Sequence, residues 1–204
     1  MDSAKEIKVW DLLVRFFHWS LVVSFAIAYV TGDEESRLHV WSGYAILALL
    51  SLRIVWGFVG TRHARFSDFV FPPRVILGYA LNMVAFRARR YLGHNPLGGA
   101  MVVTLLACLP LTCITGYLLL PGDSANTNRA AAAMFAPIGA AFANGRDKRD
   151  HDEDGLLKEL HEALAELGLF LVVLHIAGVL ASSLVHRENL VRAMVTGRKR
   201  AGPD

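Results

Sequence analysis

Between Lys158 and Asn189 the chain reads KELHEALAELGLFLVVLHIAGVLASSLVHREN. Its middle, about Ala163 to Val185, is apolar enough and long enough to cross a bilayer as one helix. Two histidines lie on the stretch, His161 and His175, fourteen residues apart. On an α-helix that spacing is roughly 21 Å of rise, and it brings the second side chain back to within about 40° of the first. One face of one spanning helix therefore carries an imidazole near each end. Gly168 sits halfway between them on the same stripe, where a missing side chain lets something bulky approach the backbone. Ionisable side chains inside a span are costly and mark function.

The rest of the chain has to supply what faces that helix. It is 204 residues long and 54% hydrophobic, with a mean hydropathy of +0.39, and its apolar residues come in long blocks. That describes a small polytopic membrane protein. Three further runs are long enough to span, about 12–31, 38–59 and 97–120, so with 163–185 the expected fold is an all-α, four-helix transmembrane bundle. The first run resembles a signal peptide at Ala26-Ile27-Ala28, but it is longer than an h-region and carries Arg15 and His18. Asn95 and Pro96 give the third run a capped start, and Pro110 within it predicts a kink. Pro73 to Phe86 is apolar but short, and reads as an interfacial helix. No internal repeat or linker divides residues 1–204, which read as one domain.

Charge orients the bundle. With four spans both termini share a side. That side, with the 60–93 segment, holds fifteen of the 21 Lys and Arg residues, against six for the connections opposite. The bias predicts cytoplasmic termini. Basic residues that flank apolar blocks report insertion and give no face for nucleic acid. The opposite side holds twelve of the 18 acidic residues, many of them between Asp147 and Asp154. Acidic residues contribute little to orientation, so this excess suits either a loop that is simply kept solvated or docking of a basic periplasmic redox protein such as a c-type cytochrome.

The topology then pairs histidines by depth. His18 and His175 fall in the cytoplasmic half, His39 and His161 at the periplasmic ends. A lone histidine near a span end is ordinarily interfacial, but four at two matched depths suit two six-coordinate haems, each held between facing helices. Filling both axial positions favours electron transfer over oxygen activation. Cys108 and Cys113 lie within an apolar block and no Cys-x-x-Cys-His occurs, so the haem is b-type and non-covalent, two per chain. Haem propionates favour basic partners. Arg53 and Arg15 suit the cytoplasmic site and Lys158 the periplasmic one, with snorkelling to headgroups the competing role. His94 opens the third span, as a helix-start residue or as part of a quinone site; His186 is a weaker candidate for that site, and His63 and His151 read as solvated.

FFHW in the first span, LHVWSGYAIL…LR in the second and KELHEALAELGLFLVVLHIAG in the fourth resemble the bacterial cytochrome b561 family. GHNPLGG and SLVHRENLVRAMVTGRKR are more similar to its hydrogenase-type cytochrome b branch. The resemblance covers nearly the whole chain. It implies a di-haem b cytochrome of the bacterial inner membrane with His18, His39, His161 and His175 as ligands. Such a protein passes electrons between the quinone pool, ubiquinone or menaquinone, and a periplasmic partner. The Ala-rich loop from about Gly122 to Gly155 departs from the family pattern. The expected role is electron transfer, with enzymatic chemistry only if the protein oxidises quinol directly. The alternative within this class is the membrane anchor of a hydrogenase or similar dehydrogenase. The alternative from another class is a proton or metal-ion transporter using membrane His and Arg residues, although the broken helices and repeats of transporters are not evident.

Overall fold

The computed structural model describes residues 6–32, 36–120 and 152–201. Elements follow in the order β1 (Glu6–Lys8), α1 (Leu12–Val30), α2 (Arg37–Val59), a 3-10 turn (Arg62–Ala64), α3 (Phe66–Phe69), α4 (Pro73–Val84), α5 (Pro96–Leu118), α6 (Asp152–Val185), α7 (Leu190–Thr196) and β2 (Arg198–Arg200). Among the described residues four helices, α1, α2, α5 and α6, are long and apolar enough to cross a membrane. α1 packs along α2 and α5 along α6, and contact between α2 and α5 joins the two pairs into a bundle.

Local chemistry starts α1, α2 and α5 where a polar side chain can take up free backbone N–H groups. Asp11 Oδ1 accepts from Val14 N at 2.8 Å, Ser36 Oγ from His39 N at 3.2 Å, and Asn95 Oδ1 from Gly98 N at 2.7 Å. Asp11 also ties α1 to the end of α2, accepting from Trp56 Nε1 at 3.1 Å and Thr61 Oγ1 at 2.6 Å. Burial opposes its charge, but the hydrogen bonds from Thr61, Val14 and Trp56 outweigh that and hold its carboxyl below the usual range. α5 continues as one helix through Pro110. α6 begins well before the apolar run, because Glu, Leu, Lys and Ala between 153 and 163 are good helix formers whatever solvent they face. Its 34 residues extend for roughly 51 Å, against a hydrocarbon core of about 30 Å.

The core is thin, as expected when the outer faces meet lipid. Mid-bundle, Phe17, Ile46, Leu50 and Leu109 are buried together. Large apolar side chains such as Val30, Phe58 and Leu184 point outward and are exposed. A second cluster, Val9, Trp10, Val14 and Ala64, lies at the end of the bundle where the chain begins and finishes. There β1 and β2 pair antiparallel, Glu6 opposite Arg200 and Lys8 opposite Arg198. Both segments looked like polar tails in the sequence. Their pairing brings the first and last described elements together at one end of the bundle, the ribbon end. The Ala-rich loop and the acidic run up to residue 151 lie outside the described residues.

Candidate functional site

The two helix pairs bring four histidines together as two ring pairs at two levels. At the end far from the ribbon, His39 in the first turn of α2 faces His161 on α6, with ring centroids 6.0 Å apart and planes at 84°. His39 Nδ1 lies 2.8 Å from the Ala28 carbonyl of α1. His161 Nδ1 lies 3.0 Å from the Thr112 carbonyl and 3.0 Å from Thr115 Oγ1, both on α5. A carbonyl can only accept, so Nδ1 of each ring carries the proton and Nε2 keeps its lone pair. This is the arrangement of a metal-binding histidine, oriented by the hydrogen bond on its other nitrogen.

Close packing makes that arrangement possible. A Cβ on Gly116 would stand 2.8 Å from His161 Cε1, so the ring can lie against α5 only because residue 116 has no side chain. Gly168 is different. A Cβ there would meet Phe25 and Leu109 at an ordinary 3.7 Å, so the close approach expected at that glycine is not required by its protein neighbours.

At the ribbon end, His18 on α1 faces His175 on α6, with centroids 6.4 Å apart and planes at 53°. His18 Nδ1 is buried and has no hydrogen-bond partner among the described residues. Arg53 is only 3% exposed in the last third of α2, with its guanidinium carbon 5.5 Å from the Phe66 ring centroid and 5.6 Å from that of Phe69. Those rings favour a cation over their faces, yet among the described residues Arg53 Nη1 is buried without a partner. His94 stands between Trp10 and Phe69, each ring centroid 4.7 Å away, and its Nδ1 is likewise buried and unpartnered. Unpaired buried donors beside two facing imidazoles suit an anionic group.

Ring spacing gives an independent check of fit. Two imidazoles binding opposite faces of one metal, at about 2.0–2.1 Å per nitrogen, have centroids roughly 6 Å apart. Both pairs meet that requirement. The donor sets fit two haem irons, and the buried donors near His18 and His175 fit propionates.

The other expected site residues are more dispersed. Arg15 Nη1 donates to the Val195 carbonyl at 2.6 Å, binding α1 to the last turn of α7. Lys158 is exposed on α6, one turn before His161. His63, expected to be solvated, is 2.8 Å from Asp68 Oδ2 and packs against Gly93. His186 Nε2 lies 3.1 Å from Tyr79 Oη, and Asn95 Nδ2 donates to Ser182 Oγ at 2.9 Å, joining the interfacial helix α4 and the start of α5 to the end of α6. Burial pushes the Tyr79 phenol up to about 12, so it keeps its proton. Sequence reasoning missed Tyr79, Thr112 and Thr115. A threonine inside an apolar run is ordinarily a residue bonded to its own helix, as Thr104 is to the Ala100 carbonyl.

Comparison with known proteins identifies the family. The family model of prokaryotic cytochrome b561 matches residues 9–197. A probable Ni/Fe-hydrogenase B-type cytochrome subunit of Rhizobium leguminosarum bv. viciae is 23% identical over 96% of this chain and 89% of its own length. Its counterpart in Rhodobacter capsulatus is 22% identical over 94% of this chain and 80% of its own length. The probable Ni/Fe-hydrogenase 1 B-type cytochrome subunit of Escherichia coli strain K12 is 27% identical over 67% of each chain. No solved structure matches. Four apolar helices and bacterial relatives make this a multi-pass protein of the bacterial inner membrane.

Proposed function

Because the chain belongs to the prokaryotic cytochrome b561 family, we propose that it is the cytochrome b subunit of a hydrogenase-type or related dehydrogenase complex, carrying electrons through the membrane by way of two bis-histidine sites. The observation that carries this reading is the pair of imidazole couples, 6.0 and 6.4 Å between centroids, at two levels of one bundle. The relatives are named as hydrogenase cytochrome subunits, which favours an anchor and conduit over the free-standing shuttle between quinol and a soluble c-type cytochrome.

When bound, haem b supplies a reversible one-electron couple at each pair. His39 and His161 would hold one group, and His18 and His175 the other. Arg53, with its unpaired Nη1, would balance propionate charge at the ribbon-end site, and the neutral His94, with its unpaired Nδ1, would add a hydrogen bond there. Arg15 and Lys158 are the further basic side chains near the two levels. The ribbon end faces the cytoplasm, by the excess of Lys and Arg on that side, and the partner dehydrogenase docks at the opposite surface. Quinone exchanges electrons at the ribbon end, beside His94 and the GHNP turn.

The test is a visible spectrum and pyridine haemochrome assay on the detergent-purified protein. Two reducible, extractable haems b per chain are expected; a colourless protein would return the reading to the transporter alternative. Affinity purification after mild solubilisation is expected to retain a hydrogenase-like partner, and purification as a lone haem protein would favour the shuttle. Alkaline phosphatase fused at residue 204 is expected to be inactive, as a cytoplasmic fusion should be.

A further inference from the structure

The two imidazole pairs are not equivalent in what holds their outer nitrogens. At the far pair both rings give their Nδ1 proton to a fixed acceptor, His39 to the Ala28 carbonyl and His161 to the Thr112 carbonyl with Thr115 Oγ1 alongside. Thr115 is fully buried, and its own proton is committed to the Thr112 carbonyl at 2.9 Å or the Leu111 carbonyl at 3.1 Å. Its oxygen therefore faces His161 as an acceptor. At the ribbon-end pair His18 Nδ1 has no partner among the described residues, and the Arg53 cation is buried in the same end of the bundle.

Hydrogen-bond acceptors on the outer nitrogen raise the basicity of the inner one and strengthen its donation to a metal. Stronger donation favours the oxidised metal and lowers its reduction potential; a nearby cation favours the reduced one. We propose that Thr115, with the Thr112 and Ala28 carbonyls, sets the His39–His161 centre at the lower of the two potentials. This rests on the di-haem reading above and adds the residue that separates the two centres. Thr115 is a positioning residue, acting only through His161.

The experiment is a potentiometric titration of the purified holoprotein, followed at the haem α-band, for wild type, Thr115→Val, Thr115→Ser and His161→Ala. The wild type is expected to titrate as two one-electron components, and His161→Ala to retain only the higher. Thr115→Val keeps the shape and loses the acceptor. It is expected to move the lower component alone, raising its reduced-to-oxidised ratio at fixed potential about three- to tenfold, where tenfold corresponds to about 59 mV for one electron. Thr115→Ser is expected to restore it. The proposal is overturned if His161→Ala retains the lower component, or if wild type shows one potential for both haems. It is also overturned if Thr115→Val with two haems bound moves the higher component, both or neither, or if the serine variant behaves like valine. Should Thr115→Val lose haem, the wild-type and His161→Ala titrations decide. A wild-type protein without haem would instead overturn the di-haem reading itself.

Discussion

Arg90 Nη2 donates to Glu188 Oε1 at 2.9 Å, joining residues 98 apart in sequence. Lys199 Nζ stands 3.5 Å from the other carboxylate oxygen and donates to the Tyr91 carbonyl at 3.3 Å. Arg90 Nη2 also donates to the Arg200 carbonyl at 2.7 Å. One buried carboxylate thus fastens the end of α6 and the C-terminal strand to the segment before α5. Glu188→Gln should lower stability by roughly 1.5–3 kcal/mol, the range for a lost charge-assisted hydrogen bond. Thermal unfolding in detergent measures this, and a melting curve identical to wild type would remove the cluster from any structural role.

The same carboxylate has a pH signature. Burial raises the Glu188 pKa, but the hydrogen bond and charge of Arg90 and the charge of Lys199 outweigh it, so the folded value lies below the ordinary 4.5. A depressed carboxyl pKa contributes stability that is complete above the unfolded value and is lost as pH falls through the folded one. Wild type should therefore lose stability below about pH 4.5 more steeply than Glu188→Gln. Parallel curves for the two proteins in acid would contradict this.

Single-ligand replacements should separate the two sites, since His161 and His175 are roughly 21 Å apart along α6. His161→Ala or His39→Ala should remove one haem, and His175→Ala or His18→Ala the other, each leaving about half the pyridine haemochrome signal. Loss of both haems from any one variant that still folds would mean that the pairing is wrong.

Gly116→Ala places a methyl where His161 Cε1 would be 2.8 Å away. The ring must shift, so the far site should lose haem affinity or change its low-spin electron paramagnetic resonance signal. The ribbon-end signal should be unchanged. Equal perturbation of both signals would point to a general packing defect.

Arg53→Met removes a buried cation while keeping the contact with Phe66 and Phe69. If Nη1 pairs with a propionate, haem retention at the ribbon-end site should fall about tenfold or more, the effect of losing a charge-assisted hydrogen bond. Haem competition with an apo-protein acceptor reads this out. Unaltered retention would leave Arg53 with a packing role.

Local periodicity and length were enough to establish much of this architecture from the residues alone. Four apolar runs of spanning length, the Asn95 cap and the fourteen-residue interval from His161 to His175 are all readable along one helix or one turn. Matched depths even paired the histidines, because a membrane reduces placement to one coordinate. Relations across elements were left to tertiary structure. Nothing local distinguishes Thr115, which faces His161, from Thr104, which bonds only within its own helix. Nor did two polar tails announce that Glu6–Lys8 would pair with Arg198–Arg200, because each strand lacks a partner until the bundle brings the chain ends together. Gly116 and Gly168 look alike as letters, yet a Cβ would press into a ring only at the first, 2.8 Å from His161 Cε1 against an ordinary 3.7 Å from Phe25. Hydrogen bonds and close approaches depend on how neighbouring helices are rotated against one another, and packing rather than the one-dimensional pattern sets that rotation.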